Sequence, residues 1–173
     1  MASRPRLSHV GPDGRARMVD VSAKAVTARE AVARGRVRVS RAALRLARDG
    51  RLKKGPVEEV ARLAGIQAAK RTADVIPLCH PLPLDWVDVR VQAEPGGFAI
   101  EARVRTTART GAEMEALHAV AVAALTVYDM VKAADPEMVI DAITLVSKTG
   151  GRTDRGLGAE PRRVGPSRPR RRS

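Results

Sequence analysis

Residues 111–134 read GAEMEALHAVAVAALTVYDMVKAA, and the architecture follows most directly from this segment. It predicts one long helix that ends before Pro136, because proline cannot continue a helix. Its middle, residues 119–127, is uncharged and apolar on every side of the helix. A helix that is apolar all round is buried all round. We therefore expect a sheet against one side of it and another subunit against the other.

Segments with a two-residue period lie before and after this helix. Residues 31–39 alternate in this way and predict a strand, although Thr27 and Glu30 also form a capping box that would open a helix. Residues 86–92 and 98–106 flank the turn sequence Glu94-Pro-Gly-Gly97, which predicts a hairpin. Residues 139–146 supply the last strand.

Two shorter helices and an irregular loop are predicted between the first strand and the hairpin. Ser40 suits the N-cap of a helix that ends at Gly50, and Pro56 suits the first position of a second helix. The apolar face of that second helix is assigned to Val60, Leu63, Ala64, Gln67 and Ala68. Residues 76–83 contain three prolines and cannot be regular. The order of elements predicts an α+β fold, with helices packed on one face of an antiparallel sheet.

The 173-residue chain is strongly basic, with 32 Lys plus Arg against 19 Asp plus Glu and a net charge of +13. Eight arginines lie within residues 152–173, a segment too poor in apolar side chains to offset the entropy of ordering it. The sequence therefore predicts one domain over residues 1–151 and a disordered Arg-rich tail over residues 152–173. The tail is either a solubilising arm or a non-specific polyanion-binding arm.

Composition argues against several classes of protein. The single cysteine, Cys79, cannot form an intramolecular disulfide. Trp86, Phe98 and Tyr128 are the only aromatic residues, too few to stack single-stranded nucleic acid, which argues against nucleic-acid binding. The longest uncharged apolar run has nine residues, far short of the ~20 that span a bilayer, and the first residues lead into no apolar signal segment. We expect a soluble, cytoplasmic protein.

The loop Leu78-Cys79-His80-Pro81 is the most unusual candidate for chemistry. The prolines around it stiffen its backbone, as a binding site requires, and His80 can bind an anion or move a proton near neutral pH. Cys79 beside it is a candidate nucleophile or metal ligand. The alternative is a tight turn in which Cys79 is a small buried side chain and His80 caps a carbonyl group. No metal-ligand spacing involves the other histidines, so no metal site is predicted.

Charged residues mark both ends of the long helix. Glu113 and Glu115 either complement the positive end of the helix dipole or belong to a site. Asp129 and Lys132 lie at i and i+3, where an ordinary ion pair contributes about 0.2–0.5 kcal/mol. Arg outnumbers Lys by 26 to 6, so the six lysines of this chain are themselves candidate site residues.

Six segments in order resemble the cyclic pyranopterin monophosphate synthase family of molybdenum cofactor biosynthesis, and the resemblance runs from about residue 7 to residue 152. They are MVDVSAK (18–24), AGIQAAKRT (64–72), IPLCHP (76–81), GAEMEAL (111–117), AALTVYDM (123–130) and KTGG (148–151). The resemblance implies a ferredoxin-like fold and a homohexamer built as a trimer of dimers. It also implies a lyase without a cofactor, which converts a cyclised dihydro-GTP to cyclic pyranopterin monophosphate with release of diphosphate.

The same resemblance implies the site residues. Asp129 matches the catalytic acid/base, and Lys132 and Lys54 join it in catalysis. The implied substrate-binding residues are Leu78, Cys79, His80, Glu113, Met114, Glu115, Lys70 and Lys148. Val131 stands where a cysteine is expected in this family, which makes a catalytic thiol at that position impossible.

The implied chemistry suits these residue types, because a triphosphate needs fixed positive charge and the ring rearrangement needs an acid/base pair. In a continuous helix, however, Glu115 and Asp129 lie about 21 Å apart, too far to contact one reacting centre. We therefore expect active sites shared between subunits, with Met114 and Glu115 from one chain and Asp129 and Lys132 from its neighbour. The alternative, a basic binding module, would lose its function when residues 152–173 are removed.

Overall fold

The computed structural model describes residues 14–151, Asp154 and Gly156. Its elements are β1 (Thr27–Arg38), α1 (Arg41–Arg48), α2 (Val57–Ala69), α3 (Thr72–Val75), β2 (Trp86–Glu94), β3 (Gly97–Ala108), α4 (Glu113–Val131) and β4 (Val139–Thr149). The strands form one sheet in the order β2-β3-β1-β4, in which every neighbouring pair is antiparallel. If the three helices between β1 and β2 are counted as one helical connection, the chain order is β-α-β-β-α-β. Together with the strand order, this is the predicted ferredoxin-like α+β fold.

The two-residue period of β1 sorts its side chains between the two faces of the sheet. Ala31, Ala33 and Val37 are buried under the helices, whereas the arginines after residue 33 are exposed on the opposite face. The strand begins at Thr27 and pairs with β3 along its whole length. The helix suggested by the capping box is therefore wrong, because ladder hydrogen bonds to β3 hold this segment extended.

Helices α2 and α4 pack together over the sheet through small side chains. Gly65 of α2 faces α4 so closely that an added Cβ would lie 2.9 Å from the carbonyl oxygen of Ala119 and 3.3 Å from the Cβ of Ala123. Ala116 and Ala124 of α4 are also fully buried. This close approach gives dense packing between the helices.

The inward face of α2 differs from the predicted one. Its buried residues are Val57, Ala61, Gly65, Ala68 and Ala69. Val60 and Leu63, which we assigned to the apolar face, are 38% and 59% exposed, whereas Ala68 of the same set is buried. The small side chains face inward because they alone permit the short distance to α4. Pro56 is the N-cap residue of α2 rather than its first helical residue.

Helix α4 is buried on the sheet side and open on the other. Met114 and Leu125 are 38% and 58% exposed, so a single chain covers only the sheet side, and the cover of the other side by a second subunit stays a prediction. Within the described part of the chain, α4 is also the one helix whose length and composition alone would let it cross a membrane. Its packing on α2 and on all four strands is that of a core helix.

Helix α1 has the ends that its sequence predicts. The hydroxyl of Ser40 accepts a hydrogen bond from the Ala43 N–H, 3.3 Å away, and Gly50 follows the helix with φ 65°. Of the predicted tail, only Asp154 and Gly156 are among the described residues, so the prediction of disorder over residues 152–173 lies outside them.

Candidate active site

A cleft of about 830 Å³ opens at the N-terminal end of α4. It is lined by seven of the predicted substrate-binding residues, namely Leu78, Cys79, His80, Glu113, Met114, Glu115 and Lys148. These residues come from three places in the sequence: the proline-rich loop, the first turn of α4 and the end of β4. The fold therefore brings together residues that the motifs alone could not place side by side.

Polar contacts hold the proline-rich loop and the helix before it in place. The Cys79 N–H donates to the carbonyl oxygen of Ile76, 3.0 Å away. The Nε2 atom of His80 lies 2.8 Å from the carbonyl oxygen of Val19 and is therefore the protonated ring nitrogen. Before the loop, Thr72 Oγ1 lies 3.2 Å from Nδ1 of His118 on α4, which joins α3 to the same helix end. The loop thus presents its side chains on a fixed backbone.

Glu115 is the most perturbed acid of the cleft. Its residue is only 4% exposed, and burial raises its pKa from 4.5 to about 7, helped by the nearby charge of Glu113. Burial also raises the pKa of the Cys79 thiol, and the negative charge of Glu115 adds to this effect. A raised pKa leaves the cysteine protonated at neutral pH, which favours the packing role over the nucleophile.

A second cavity of about 740 Å³ adjoins the first and shares Lys24, Thr110, Gly111, Glu113 and Lys148 with it. Its further charged lining residues are Asp20, Arg29, Glu30 and Arg109. The Lys148 ammonium pairs with Glu113 at 2.9 Å, and the Arg29 Nε donates to the carbonyl oxygen of Ala108.

Three of these cations were not assigned to substrate binding from the sequence: Lys24, a candidate only as one of the six lysines, and Arg29 and Arg109. Lys24 stands inside one of the quoted motifs and is one of only six lysines, so the scarcity of lysine was the signal for it. Arg29 and Arg109 are two arginines among 26, and nothing in the sequence separates them from the surface arginines.

A second polar group lies at the C-terminal end of α4. Asp129 accepts from the ammonium groups of Lys132, at 2.8 Å, and Lys54, at 2.5 Å. The Lys54 ammonium also donates to the backbone carbonyl of Asp129, at 3.0 Å. The hydrogen bond from Lys132, followed by that from Lys54, lowers the pKa of Asp129 to about 2, and Asp129 in turn raises the pKa of Lys132.

The sequence did not show whether Asp129 and Lys132 form only an ordinary i, i+3 ion pair. In the structure a third residue, Lys54, joins them from 75 residues away in the sequence. All three side chains are about half exposed, so the group faces solvent in a single chain. At neutral pH it presents one carboxylate between two ammonium groups.

The two groups stand at opposite ends of one continuous helix. Fourteen residues separate Glu115 from Asp129, which corresponds to about 21 Å at 1.5 Å per residue. Lys70 joins neither group: it caps the C-terminal end of α2, lines neither cavity, and its ammonium group has no hydrogen bond or ion pair to another described residue. Apart from Lys70, a single chain therefore holds the predicted residues in two separate groups, one at each end of α4.

Within the described residues, no three His, Cys, Asp or Glu side chains are grouped so that they could hold a metal ion.

Comparison with known proteins gives a consistent result. The sequence model of the MoaC family matches residues 18–151. The cyclic pyranopterin monophosphate synthase of Thermomicrobium roseum is 60% identical over 149 residues, which cover 85% of this chain and 90% of the relative. The synthase of Heliobacterium modesticaldum is 58% identical, with 85% and 94% covered, and that of Chloroflexus aggregans is 59% identical, with 86% and 91% covered.

Proposed function

The chain belongs to the MoaC family, and from this membership we propose that it is a lyase of molybdenum cofactor biosynthesis acting in the cytoplasm. Its reaction converts (8S)-3',8-cyclo-7,8-dihydroguanosine 5'-triphosphate to cyclic pyranopterin monophosphate with release of diphosphate. The observation that carries this proposal is the 58–60% identity to synthases of that name over 85% or more of the chain.

The cleft at the N-terminal end of α4 suits a nucleoside triphosphate. Lys24, Arg29, Arg109 and Lys148 surround the joined cavities and supply cations for the phosphate oxygens. In this proposal His80, Glu113, Met114 and Glu115, together with the backbone of Leu78 and Cys79, contact the substrate. Lys70 lines neither cavity, so its assignment to substrate binding depends on the family resemblance alone.

The group around Asp129 suits the chemical steps. A sugar hydroxyl attacks the α-phosphorus, the bond from that phosphorus to the bridging oxygen breaks, and diphosphate leaves with the electron pair. The Lys54 and Lys132 ammonium groups stabilise the charge that develops on the phosphate oxygens. A substrate phosphate that draws either lysine away raises the pKa of Asp129, so the carboxylate becomes a better base for the hydroxyl proton.

We further propose that these two groups are half-sites, and that each active site combines the half-site at the N-terminal end of α4 in one subunit with the half-site at the C-terminal end of α4 in another. About 21 Å separates the half-sites of one chain, whereas two antiparallel α4 helices related by a two-fold axis would set the N-terminal end of one beside the C-terminal end of the other. The outward side of α4 carries the exposed Leu125 between the two half-sites, which a partner helix would cover. Three such dimers would form the proposed hexamer.

Complementation tests the shared site. Glu115→Ala and Asp129→Asn chains are unfolded together in equal amounts and refolded, and subunit mixing is verified by mass spectrometry of the assemblies. Random pairing makes about half of the dimers mixed, each with one intact site of two, so activity recovers to about a quarter of wild type. A mixture that stays as inactive as its separate components would disprove the sharing.

A matched control carries both substitutions on one chain and mixes it with wild type. Shared sites leave the mixed dimers without an intact site, so activity is about a quarter of an all-wild-type sample. If each site lay within a single chain, about half of the wild-type activity would remain. The two mixtures together therefore distinguish the arrangements even when refolding yields differ.

Turnover of the purified protein tests the function itself. We expect diphosphate release and cyclic pyranopterin monophosphate formation from the cyclised dihydro-GTP, both by the full chain and by a chain that ends at Gly151. Absence of product with the full chain would reject the proposed synthase activity. Activity of the full chain that disappears on truncation would reject the assignment of catalysis to residues 1–151.

A further inference from the structure

Asp135 is a buried carboxylate that belongs to neither half-site. It is 8% exposed and lies just beyond the last turn of α4, where the Ala134 and Asp135 N–H groups donate to the carbonyl oxygen of Val131 at 2.8 and 3.2 Å. No ion pair reaches it from any other described residue. Burial of a carboxylate is costly unless hydrogen bonds compensate it, so its partners are informative.

Both partners of Asp135 are backbone N–H groups. Its Oδ2 accepts from the Ser40 N–H at 2.6 Å, and its Oδ1 accepts from the Glu137 N–H at 3.1 Å. The first bond crosses 95 residues of sequence and joins the turn after α4 to the N-cap residue of α1. Asp135 therefore fixes the end of α4 against the beginning of α1.

The segment from Ser40 to Lys54 is tied at both ends to the same end of α4. At its first residue the Ser40 N–H is held by Asp135, and at its last the Lys54 ammonium is held by Asp129. Asp129 and Asp135 are six residues apart in the sequence. Residues 40–54 and the end of α4 are thus joined at two points. The contact between Ser40 and Asp135 therefore restrains the position of Lys54 relative to Asp129.

We propose that Asp135 is a positioning residue that keeps Lys54 in contact with Asp129. This inference rests on the proposed function for its consequence in catalysis, but its structural content concerns the resting protein. Asp135→Ala leaves both the Ser40 and Glu137 N–H groups unpaired, and Asp135→Asn sets its amide NH2 group, which cannot accept, against one of them. The start of α1 and the last turn of α4 are then free to separate. Lys54, which follows α1, loses its fixed distance to Asp129.

The pKa of Asp129 distinguishes positioning from a direct effect of charge. Lys132 and Lys54 together lower this pKa to about 2. Removal of the negative charge of Asp135 by itself lowers the pKa of a neighbouring carboxyl further, because a like charge is lost. Displacement of Lys54 raises the pKa of Asp129, by about one pKa unit, because one of its two neighbouring cations is lost. The sign of the change therefore identifies the cause.

The experiment compares Asp135→Ala and Asp135→Asn with Lys54→Met and with the control Ser40→Ala. The control removes the hydroxyl that caps α1 but keeps the N–H that Asp135 holds. Carbon-detected NMR titration gives the pKa of Asp129 in each protein, and turnover of the cyclised dihydro-GTP gives kcat and KM. Circular dichroism and gel filtration identify the variants that fold and assemble. If Asp135→Ala unfolds, the comparison uses Asp135→Asn, which keeps one acceptor oxygen.

We expect the Asp129 pKa to rise in both Asp135 variants and in Lys54→Met, and to stay unchanged in Ser40→Ala. A displacement of about 1 Å costs as much as 100-fold, so kcat should fall about 10- to 100-fold while KM changes far less. The double variant Asp135→Asn/Lys54→Met should match Lys54→Met alone, since residues acting through one contact are not additive.

An unchanged or lowered Asp129 pKa in a folded Asp135 variant overturns the proposal, as does an additive loss in the double variant. The titration needs no substrate, so it gives the same decision if the wild-type protein proves to lack synthase activity. That outcome would reject the proposed function and leave the positioning of Lys54 to be judged by the pKa alone.

Discussion

Replacement of Glu115 by Gln should stabilise the folded protein at alkaline pH while it damages the cleft. Burial raises the pKa of Glu115 from 4.5 to about 7, so the folded state holds this proton more tightly than the unfolded state does. At 1.36 kcal/mol for each pKa unit, ionisation of the buried group costs about 3 kcal/mol of stability. Gln keeps the shape of the side chain and cannot ionise, so it avoids this cost.

The sign of the pH dependence follows from proton binding. Below pH 4.5 the carboxyl is protonated in both states and contributes no penalty, and the penalty grows from there to about pH 7. Above pH 7 it is complete. The stability of Glu115→Gln relative to wild type should therefore rise by about 3 kcal/mol between pH 4 and pH 8. Any contribution of Asp129 and the other acids is common to both proteins and cancels in the difference.

Urea unfolding at fixed protein concentration, followed by circular dichroism at pH 4, 5, 6, 7 and 8, measures this difference. Constant concentration matters because association contributes to apparent stability. Glu137→Gln is the matched control, since it removes an exposed carboxyl and should leave the profile parallel to wild type. A stability difference between Glu115→Gln and wild type that is the same at pH 4 and pH 8 would refute the reasoning.

Three further predictions concern single side chains. Asp129→Asn should fold and assemble but lose activity by about 100-fold or more in kcat, because it removes the proton-accepting group, and turnover like that of wild type would reject the role. Cys79→Ser should keep kcat within about tenfold, because catalysis by proximity and charge does not need the thiol; complete loss with an intact fold would restore the nucleophile. Gly65→Ala should lower the free energy of unfolding by about 1–3 kcal/mol in urea titrations, with Gln67→Ala as the exposed control, because the new Cβ meets the Ala119 carbonyl oxygen at 2.9 Å.

Much of the fold was predictable because each element carries its own periodicity. The alternation in β1, the hairpin turn before Gly97 and the apolar run in α4 are patterns within single segments, and the structure has all three elements. The face of α2 was not predictable in this way. Val60 and Leu63 lie on the more hydrophobic side, but close packing against α4 selects the side with Gly65.

The amino-acid sequence by itself determined the order of the elements, the α+β class and the motif segments that carry the family resemblance, because these depend on residue types at short spacings. Only the tertiary structure decided that Lys54 pairs with Asp129, that Glu115 is buried and that Arg29 and Arg109 line the cleft. These contacts join segments distant in the sequence. Their formation depends on how helices and sheet pack, and the sequence near each residue contains no record of that packing.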